Sequence, residues 1–437
     1  MAIGLLAGID PKLALAAALG LAFVLLVIVD LPTGLCLFVI LSFLDVAQFG
    51  GVALSFSKLA GLLLAVSWLG VVATRTRTTR DFFASHPAVS LLAVLFVGWS
   101  LLSTAWAEEP GRALDTTVRY ALNLCLLPIV FTTVSRREQL GWVAAAFIAG
   151  AVGSMLLGVV SGSSFTAAND APRLAGGIGE SNELATVLVA SVVFSLALLV
   201  STRTPPAIRA AAVVAAPIAL VGIAATLSRS GLIALTVALV VGIVFGGRWR
   251  AWFAGALVVA SIGALVYLTA FAGPAARERV QSTNSTGRAD IWTIGTRMVE
   301  AHPVRGVGGG NFPVASIHYL LRPGLIVRDD FIIETPKVAH NIYLEVQAEL
   351  GAVGLVLFLA LLGFSIRCAV LAAMAFKRQG DAHAELLARV VVIALAGMLA
   401  ADFFASEQYS KQLWLLLALG PAMLALAGSR AGDEKPR

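Results

Sequence analysis

The stretch that decides the fold is His340-Asn341-Ile342-Tyr343-Leu344-Glu345-Val346-Gln347-Ala348-Glu349-Leu350-Gly351, followed at once by the apolar run Ala352 to Phe376, AVGLVLFLALLGFSIRCAVLAAMAF. The second part has the length a helix needs to cross roughly 30 Å of hydrocarbon. The first part is amphipathic: as a helix it puts Asn341, Glu345 and Glu349 on one stripe at i, i+4 spacing, and Ile342, Val346 and Leu350 on another. An amphipathic helix thus leads into a membrane span. His340 stands where a polar segment rejoins the membrane, facing a polar chamber.

Outward from this point the pattern repeats. Apolar residues make up 59% of the chain and the mean hydropathy is +0.91, against an apolar share of about 45 to 50% in soluble domains. The candidate spans are Leu13 to Val29, Leu31 to Ala47, Val52 to Ala73, Pro87 to Trp106, Thr117 to Thr133, Leu140 to Val160, Glu183 to Ser201, Ala207 to Thr226, Gly231 to Phe245, Ala251 to Ala272, Ala352 to Phe376, Glu385 to Ala405 and Leu413 to Ala427. Alternating strand patterns are missing, so the backbone must satisfy itself as helices. The expected fold is all-α, a polytopic helical membrane protein with about 12 transmembrane helices and one large extracytoplasmic loop containing short helices. The start of the chain lacks a basic n-region and reads as a first span.

The polar exception is Gly273 to Ala339, which holds 14 charged residues in a protein that is 13% charged. The chain therefore divides into an N-terminal transmembrane bundle (1–272), an extracytoplasmic loop (273–339), C-terminal transmembrane helices (340–428) and a cytoplasmic tail (429–437). Orientation follows from basic residues in short loops: Arg75, Arg77 and Arg80, then Arg136 and Arg137, Arg203 and Arg209, Arg248 and Arg250, and Lys377 and Arg378 fall on one side, the cytoplasm. The net charge of +6 is explained by these loops, so nucleic acid is not an expected partner. Cys36, Cys125 and Cys368 sit in separate apolar runs without CxxC spacing and read as buried free thiols.

Several polar residues can carry chemistry. Arg229, in Leu227-Ser228-Arg229-Ser230-Gly231, occupies a break too short for an ordinary loop; it is an interfacial anchor or an anion clamp. Arg288 opens Gly287-Arg288-Ala289-Asp290-Ile291-Trp292, where Ile291, Trp292, Ile294, Met298 and Val299 have the spacing of a helix lying along the membrane surface. Gly306-Val307-Gly308-Gly309-Gly310-Asn311-Phe312 reads as a flexible turn more readily than as a phosphate cradle. His340 is the leading candidate for chemistry, because an imidazole can accept a proton near neutral pH. His302 and His318 are weaker, and the histidines lack metal-ligand spacing. Asp329-Asp330 is a lone acidic pair, and Asn284-Ser285-Thr286 matches a glycosylation sequon by chance. Lys58, Arg119, Arg367 and Asp402 lie in or beside apolar runs and fit snorkelling or helix pairing.

Ser228-Arg229-Ser230-Gly231, Gly287-Arg288 with Trp292, the Gly306 to Phe312 run and Ala339-His340-Asn341 through Glu345 with Glu349-Leu350-Gly351 together resemble the O-antigen ligase family of bacterial membrane proteins. Gly176-Gly177-Ile178-Gly179-Glu180-Ser181-Asn182-Glu183-Leu184-Ala185 is also similar to that family's external loop before a span. The resemblance implies a metal-independent glycosyltransferase without cofactors, in the bacterial inner membrane. Its active site would lie on the extracytoplasmic face. It would move a glycan from an undecaprenyl pyrophosphate carrier to an acceptor hydroxyl on a lipid or a glycan. Carried onto matching positions, His340 would activate the acceptor while Arg229 and Arg288 hold the pyrophosphate. One departure is the run Ala224-Ala225-Thr226-Leu227, which lacks a basic residue found there in some members. Ligase and polymerase remain alternatives within the family. A transporter or flippase of lipid-linked saccharides is the reading from a different class, against which stand the missing internal repeat and the gathering of polar residues on one face.

Overall fold

The structure, a computed structural model, describes residues 27, 30–44, 56–74, 80–162, 164–165, 173–281, 287–320, 326 and 337–428. The first candidate span apart from Val27, the loop arginines Arg75 and Arg77, the sequon, the pair Asp329-Asp330 and the tail from Ser429 lie outside these residues. The principal helices are α1 (Leu31–Leu41), α2 (Phe56–Thr74), α3 (Pro87–Leu102), α4 (Pro110–Leu124), α5 (Leu126–Thr133), α6 (Arg137–Ser161), α7 (Ser181–Val200), α8 (Pro206–Ala225), α9 (Arg229–Phe245), α10 (Arg250–Val266), α11 (Arg288–Ala301), α12 (Ile342–Arg378), α13 (Ala382–Ala401) and α14 (Lys411–Gly428). Among the described residues, 10 helical segments are long and apolar enough to cross a membrane, and α1 and α9 are shorter apolar helices. The only extended pairing among the described residues is the antiparallel ribbon of Ser164–Phe165 with Arg173–Leu174. The chain is thus an all-α polytopic membrane protein, as its hydropathy requires.

Burial sorts these helices into layers. α7, α13 and α14 are buried along most of their length, whereas α2, α3 and α10 present most of their residues outward. Large apolar side chains such as Val160, Val244 and Phe271 are 85%, 82% and 76% exposed. In lipid such exposure costs nothing, because the acyl chains are as apolar as the side chains. Helix contact inside the bundle then depends on close packing: at Gly420 of α14 a side chain would collide with the Ser365 carbonyl of α12.

Two helices are interrupted where the sequence changes character. α4 and α5 together form one crossing, broken at Cys125. α12 contains one non-helical residue, Gly351, with φ 67° and ψ −169°, at the boundary between its amphipathic start and its apolar run. The cysteines differ from expectation: Cys368 is buried, but Cys36 is half-buried and Cys125 exposed, all three as free thiols. A thiol behaves as a small apolar group, so an outward position on a membrane helix suits it as well as the core.

α11 forms where its spacing predicts, but its surroundings differ. Ile291, Ile294 and Met298 pack with Phe312, Tyr319, Ala339 and Ala348 in a second small core. The segment after α11 folds back over it, and buried Arg297 fixes that return by donating 2.7 Å to the Tyr319 carbonyl. The apolar face that amphipathicity would lay on a membrane surface is covered by protein instead.

Candidate functional site

The site is built from two helix starts of the same design. At α9 the Ser228 side chain caps the helix, accepting from the Gly231 N–H at 3.1 Å. At α12 the Asn341 side chain does so, accepting from the N–H groups of Tyr343 and Leu344, both at 3.0 Å. Serine and asparagine serve here because their short oxygens reach helix N–H groups that lack partners. The residue before each cap has a left-handed backbone, Leu227 at φ 48° and His340 at φ 49°, the only non-glycine residues of positive φ among those described. Such conformations cost energy for residues with a Cβ and persist only where their surroundings fix them.

The surroundings of His340 do fix it. The Ala339 N–H donates to Glu345 Oε2 at 2.9 Å, and the Ala339 carbonyl accepts from Trp292 Nε1 at 3.0 Å. Glu345 is held in turn by Gln408 Nε2 at 2.7 Å and by the Ser406 hydroxyl. Trp292 lies one turn after Arg288 on α11, so its bond to residue 339 brings that end of the helix to the histidine.

The electrostatics follow from this placement. His340 is half-buried, and its pKa is lowered to about 4 by burial first, then by the positive charge of Arg288 and, less, of Lys337, with Glu180 opposing. The imidazole is therefore neutral at pH 7 and can accept a proton. Arg288 and His340, 52 residues apart in sequence, are within electrostatic reach of each other.

Arg229 stands at the other helix start. It is half-buried at the first position of α9, directly after Ser228. The Ser228 hydroxyl donates to Asn182 Oδ1 at 2.9 Å, and Arg173 Nη2 donates to the same oxygen at 2.8 Å. Asn182 Nδ2 donates to Glu180 Oε1 at 3.1 Å, while Arg173 Nε donates to the Thr226 carbonyl at 2.9 Å. The start of α9 is thereby tied to Glu180, the carboxylate whose charge is felt at His340. The backbone of Arg229 joins the His340 neighbourhood through Ser228, Asn182 and Glu180. The link between Arg288 and His340 is electrostatic and direct.

One expectation is corrected here, at the glycine run. Glu345 and Glu349 share a helix face as spaced, and that face is closed to solvent: they are 2% and 1% exposed. Glu349 Oε1 accepts from the Phe312 N–H at 3.1 Å, so both glutamates anchor loop backbone. The glycine run is neither a flexible turn nor a phosphate cradle, because its N–H groups are already used. Val307 and Gly308 donate to the carbonyls of Ala348 and Glu349 at 2.9 and 2.8 Å, and Gly309 donates to Ser103 Oγ at 3.0 Å. A side chain at Gly306 would meet the Glu349 carbonyl, and one at Gly351 the Val304 carbonyl. Absence of Cβ lets this loop strap press against the break in α12. Asn311 completes the strap by accepting from the Glu109 N–H at 2.7 Å.

His302 ends α11, its N–H bonded to Met298, and His318 pairs with Glu108 at 3.1 Å on the surface. Arg119 pairs with Asp115 at 2.8 Å, as helix pairing requires. Glu180, Asn182 and Arg173 were not singled out from the sequence, although Glu180 and Asn182 lie inside the quoted Gly176 to Ala185 segment. Glu407 was not singled out either. Burial, followed by the charges of Glu183, Asp402, Glu180 and Glu345, holds its carboxyl well above the usual carboxylate range. Asp402 neither snorkels nor pairs: it is 1% exposed, and neither carboxylate oxygen has a hydrogen-bond partner among the described residues.

Residues 214–359 match a family model described as O-Antigen ligase. The matched segment contains Arg229, Arg288 and His340. No curated protein matches the chain.

Proposed function

Starting from the membership of residues 214–359 in the O-antigen ligase family, we propose that the protein is a multi-pass glycosyltransferase. It transfers a glycan from an undecaprenyl pyrophosphate carrier to an acceptor hydroxyl at the extracytoplasmic face of the bacterial inner membrane. The observation that carries this reading is a half-buried His340 brought to the Arg288 end of α11 by the bond from Trp292 Nε1 to the Ala339 carbonyl, within electrostatic reach of the guanidinium.

The chemistry divides among three side chains. The acceptor oxygen forms a bond to the anomeric carbon, the bond from that carbon to the phosphate oxygen breaks, and undecaprenyl pyrophosphate leaves. The acceptor proton passes to His340. Charge grows on the departing pyrophosphate oxygens, and Arg288 and Arg229 offset it with preorganised N–H donors. Bound pyrophosphate also brings negative charge close to His340, which raises the basicity of an imidazole that burial and Arg288 hold low. Proton acceptance is then strongest when the donor is in place. Holding donor and acceptor together supplies much of the remaining rate.

The test is glycan transfer by purified protein in liposomes with a lipid-linked donor. His340→Ala and Arg288→Ala should reach wild-type levels in the membrane and lose transfer; normal turnover by both variants refutes the mechanism. Movement of the donor across sealed vesicles without covalent transfer would identify a flippase instead. The same three residues serve a ligase and a polymerase, so mass analysis of surface glycan in a deletion strain distinguishes them. Loss of all attached glycan indicates a ligase, and attachment of single repeat units indicates a polymerase.

A further inference from the structure

At the end of the bundle away from His340 lies a cavity of about 580 Å³. Three helices begin at it: Arg137 opens α6, Ile208 lies in the first turn of α8, and His383 is the second residue of α13. Helix N-termini carry partial positive charge and favour an anion. Asp381 meets part of that demand, accepting from Arg137 Nη1 at 2.9 Å and Arg203 Nη1 at 3.1 Å. Demand remains. The Arg203 side chain is 67% exposed, so most of its guanidinium stays open. Beside it, Thr204 lines the cavity at 4% exposure with a hydroxyl that has no hydrogen-bond partner among the described residues. Arg209, bonded to the Ser201 carbonyl at 2.7 Å, adds a nearby positive charge.

The rest of the lining is apolar. Trp142, about one turn after Arg137, is 43% exposed, and Leu198 and Ile208 continue the wall. An exposed tryptophan beside arginines is the side-chain pair of a membrane–water boundary. Glu138, exposed on the rim, limits the excess of positive charge and so favours a singly charged diester over a doubly charged phosphate.

We propose that this cavity binds the phosphodiester headgroup of an anionic phospholipid, with Arg203 and Thr204 donating to the phosphate and an acyl chain lying along Trp142. Basic pockets between transmembrane helices recognise headgroups in this way. On the loop-charge orientation the lipid belongs to the cytoplasmic leaflet. The site is independent of the transferase reading.

Native mass spectrometry of the delipidated full-length protein tests it, with dioleoyl phosphatidylglycerol, dioleoyl phosphatidylcholine and soluble glycerol phosphate as probes. The phosphatidylglycerol complex should be about fivefold tighter than the phosphatidylcholine one, and Arg203→Ala with Thr204→Val should erase that difference without changing phosphatidylcholine binding. Asp381→Asn should act oppositely and tighten phosphatidylglycerol, because it removes the negative charge that competes for Arg203 while an amide can still cap α13. Equal binding of the two lipids by wild type, unchanged preference in the double variant, or displacement of the lipid by soluble glycerol phosphate at matched concentration would each overturn the proposal.

Discussion

The two ends of this bundle handle charge in opposite ways. At the end away from His340, buried carboxylates are met by guanidinium groups: Asp381 by Arg137 and Arg203, and Glu385 by Arg248 and Arg389, each at 2.9 to 3.1 Å. At the His340 end, burial and then the positive charge of Arg288 and Lys337 hold an imidazole neutral, and the carboxyl oxygens of buried Asp402 have no hydrogen-bond partner among the described residues. The Glu385 set, in which Arg248 and Arg389 both meet one buried carboxylate, is scaffold, while the Asp381 set is satisfied at the carboxylate and leaves Arg203 mostly exposed. Under the proposed function, the set that depresses its own basicity and leaves a buried carboxylate without a partner serves the substrate, and it is this contrast, not the number of charges at either end, that substitution experiments address.

The comparison can be broken most forcefully through Arg389, which is 11% exposed and donates from Nε to Glu385 at 2.9 Å. Arg389→Ala should cost about 3–5 kcal/mol of stability, because it leaves a buried carboxylate partly uncompensated. Thermal unfolding in detergent measures that loss, and transfer per folded molecule should be unchanged. Arg288→Ala should do the reverse, lowering the transfer rate by about 10²–10³ with little change in unfolding temperature. If both variants lost stability alike, the division into scaffold and site would fail.

A smaller effect is expected at the strap. Gly351→Ala places a Cβ at φ 67° against the Val304 carbonyl and should destabilise by more than about 1 kcal/mol. Protease cutting within 302–320 should increase with it, since the strap is what binds that segment to α12.

The subtlest test is pH. His340 has a folded pKa of about 4, below the roughly 6.5 of an unfolded histidine. Its contribution to stability is therefore complete above about pH 6.5 and is lost as pH falls through about 4. The acid limb of transfer by the free enzyme should likewise fall well below pH 6.5. Arg288→Gln removes one charge that depresses the imidazole, so in residual activity or in an NMR titration the limb should move upward. A limb near 6.5 in the wild type would contradict the burial that sets this value.

Much of the fold was legible because hydropathy acts over contiguous stretches. Among the described residues the candidate spans after the first appear as helices with ends near their apolar limits, and the boundary between 340–351 and Ala352 to Phe376 coincides with the break at Gly351. What spacing could not reveal is what lies against a residue. Glu345 and Glu349 share a face as expected, yet whether that face meets water or loop backbone depends on Ser406, Gln408 and Phe312, far away in the chain. The glycines from Gly306 to Gly310 signal missing side chains without saying whether solvent or a carbonyl fills the space. α11 carries an amphipathic pattern equally suited to a membrane surface and to the small core that covers it. At the candidate site, His340 and the two arginines were singled out through family motifs, and the fold brings the charge of Arg288 to His340. Glu180, Asn182 and Arg173 act through long-range contacts that leave no periodicity to read.

The left-handed backbone at His340 places two kinds of selection on a single residue. At Leu227, whose φ is nearly the same, glycine would relax the backbone but forfeit the packing of a buried side chain against Ala272 and Ala276, so there strain is weighed against packing and not against chemistry. At 340 the replacement that best suits the backbone, glycine, removes the imidazole. A library at this codon sorted for thermal robustness would therefore move away from the one sorted for turnover, and the distance between the two populations would record how much folding stability the protein forgoes to keep its histidine.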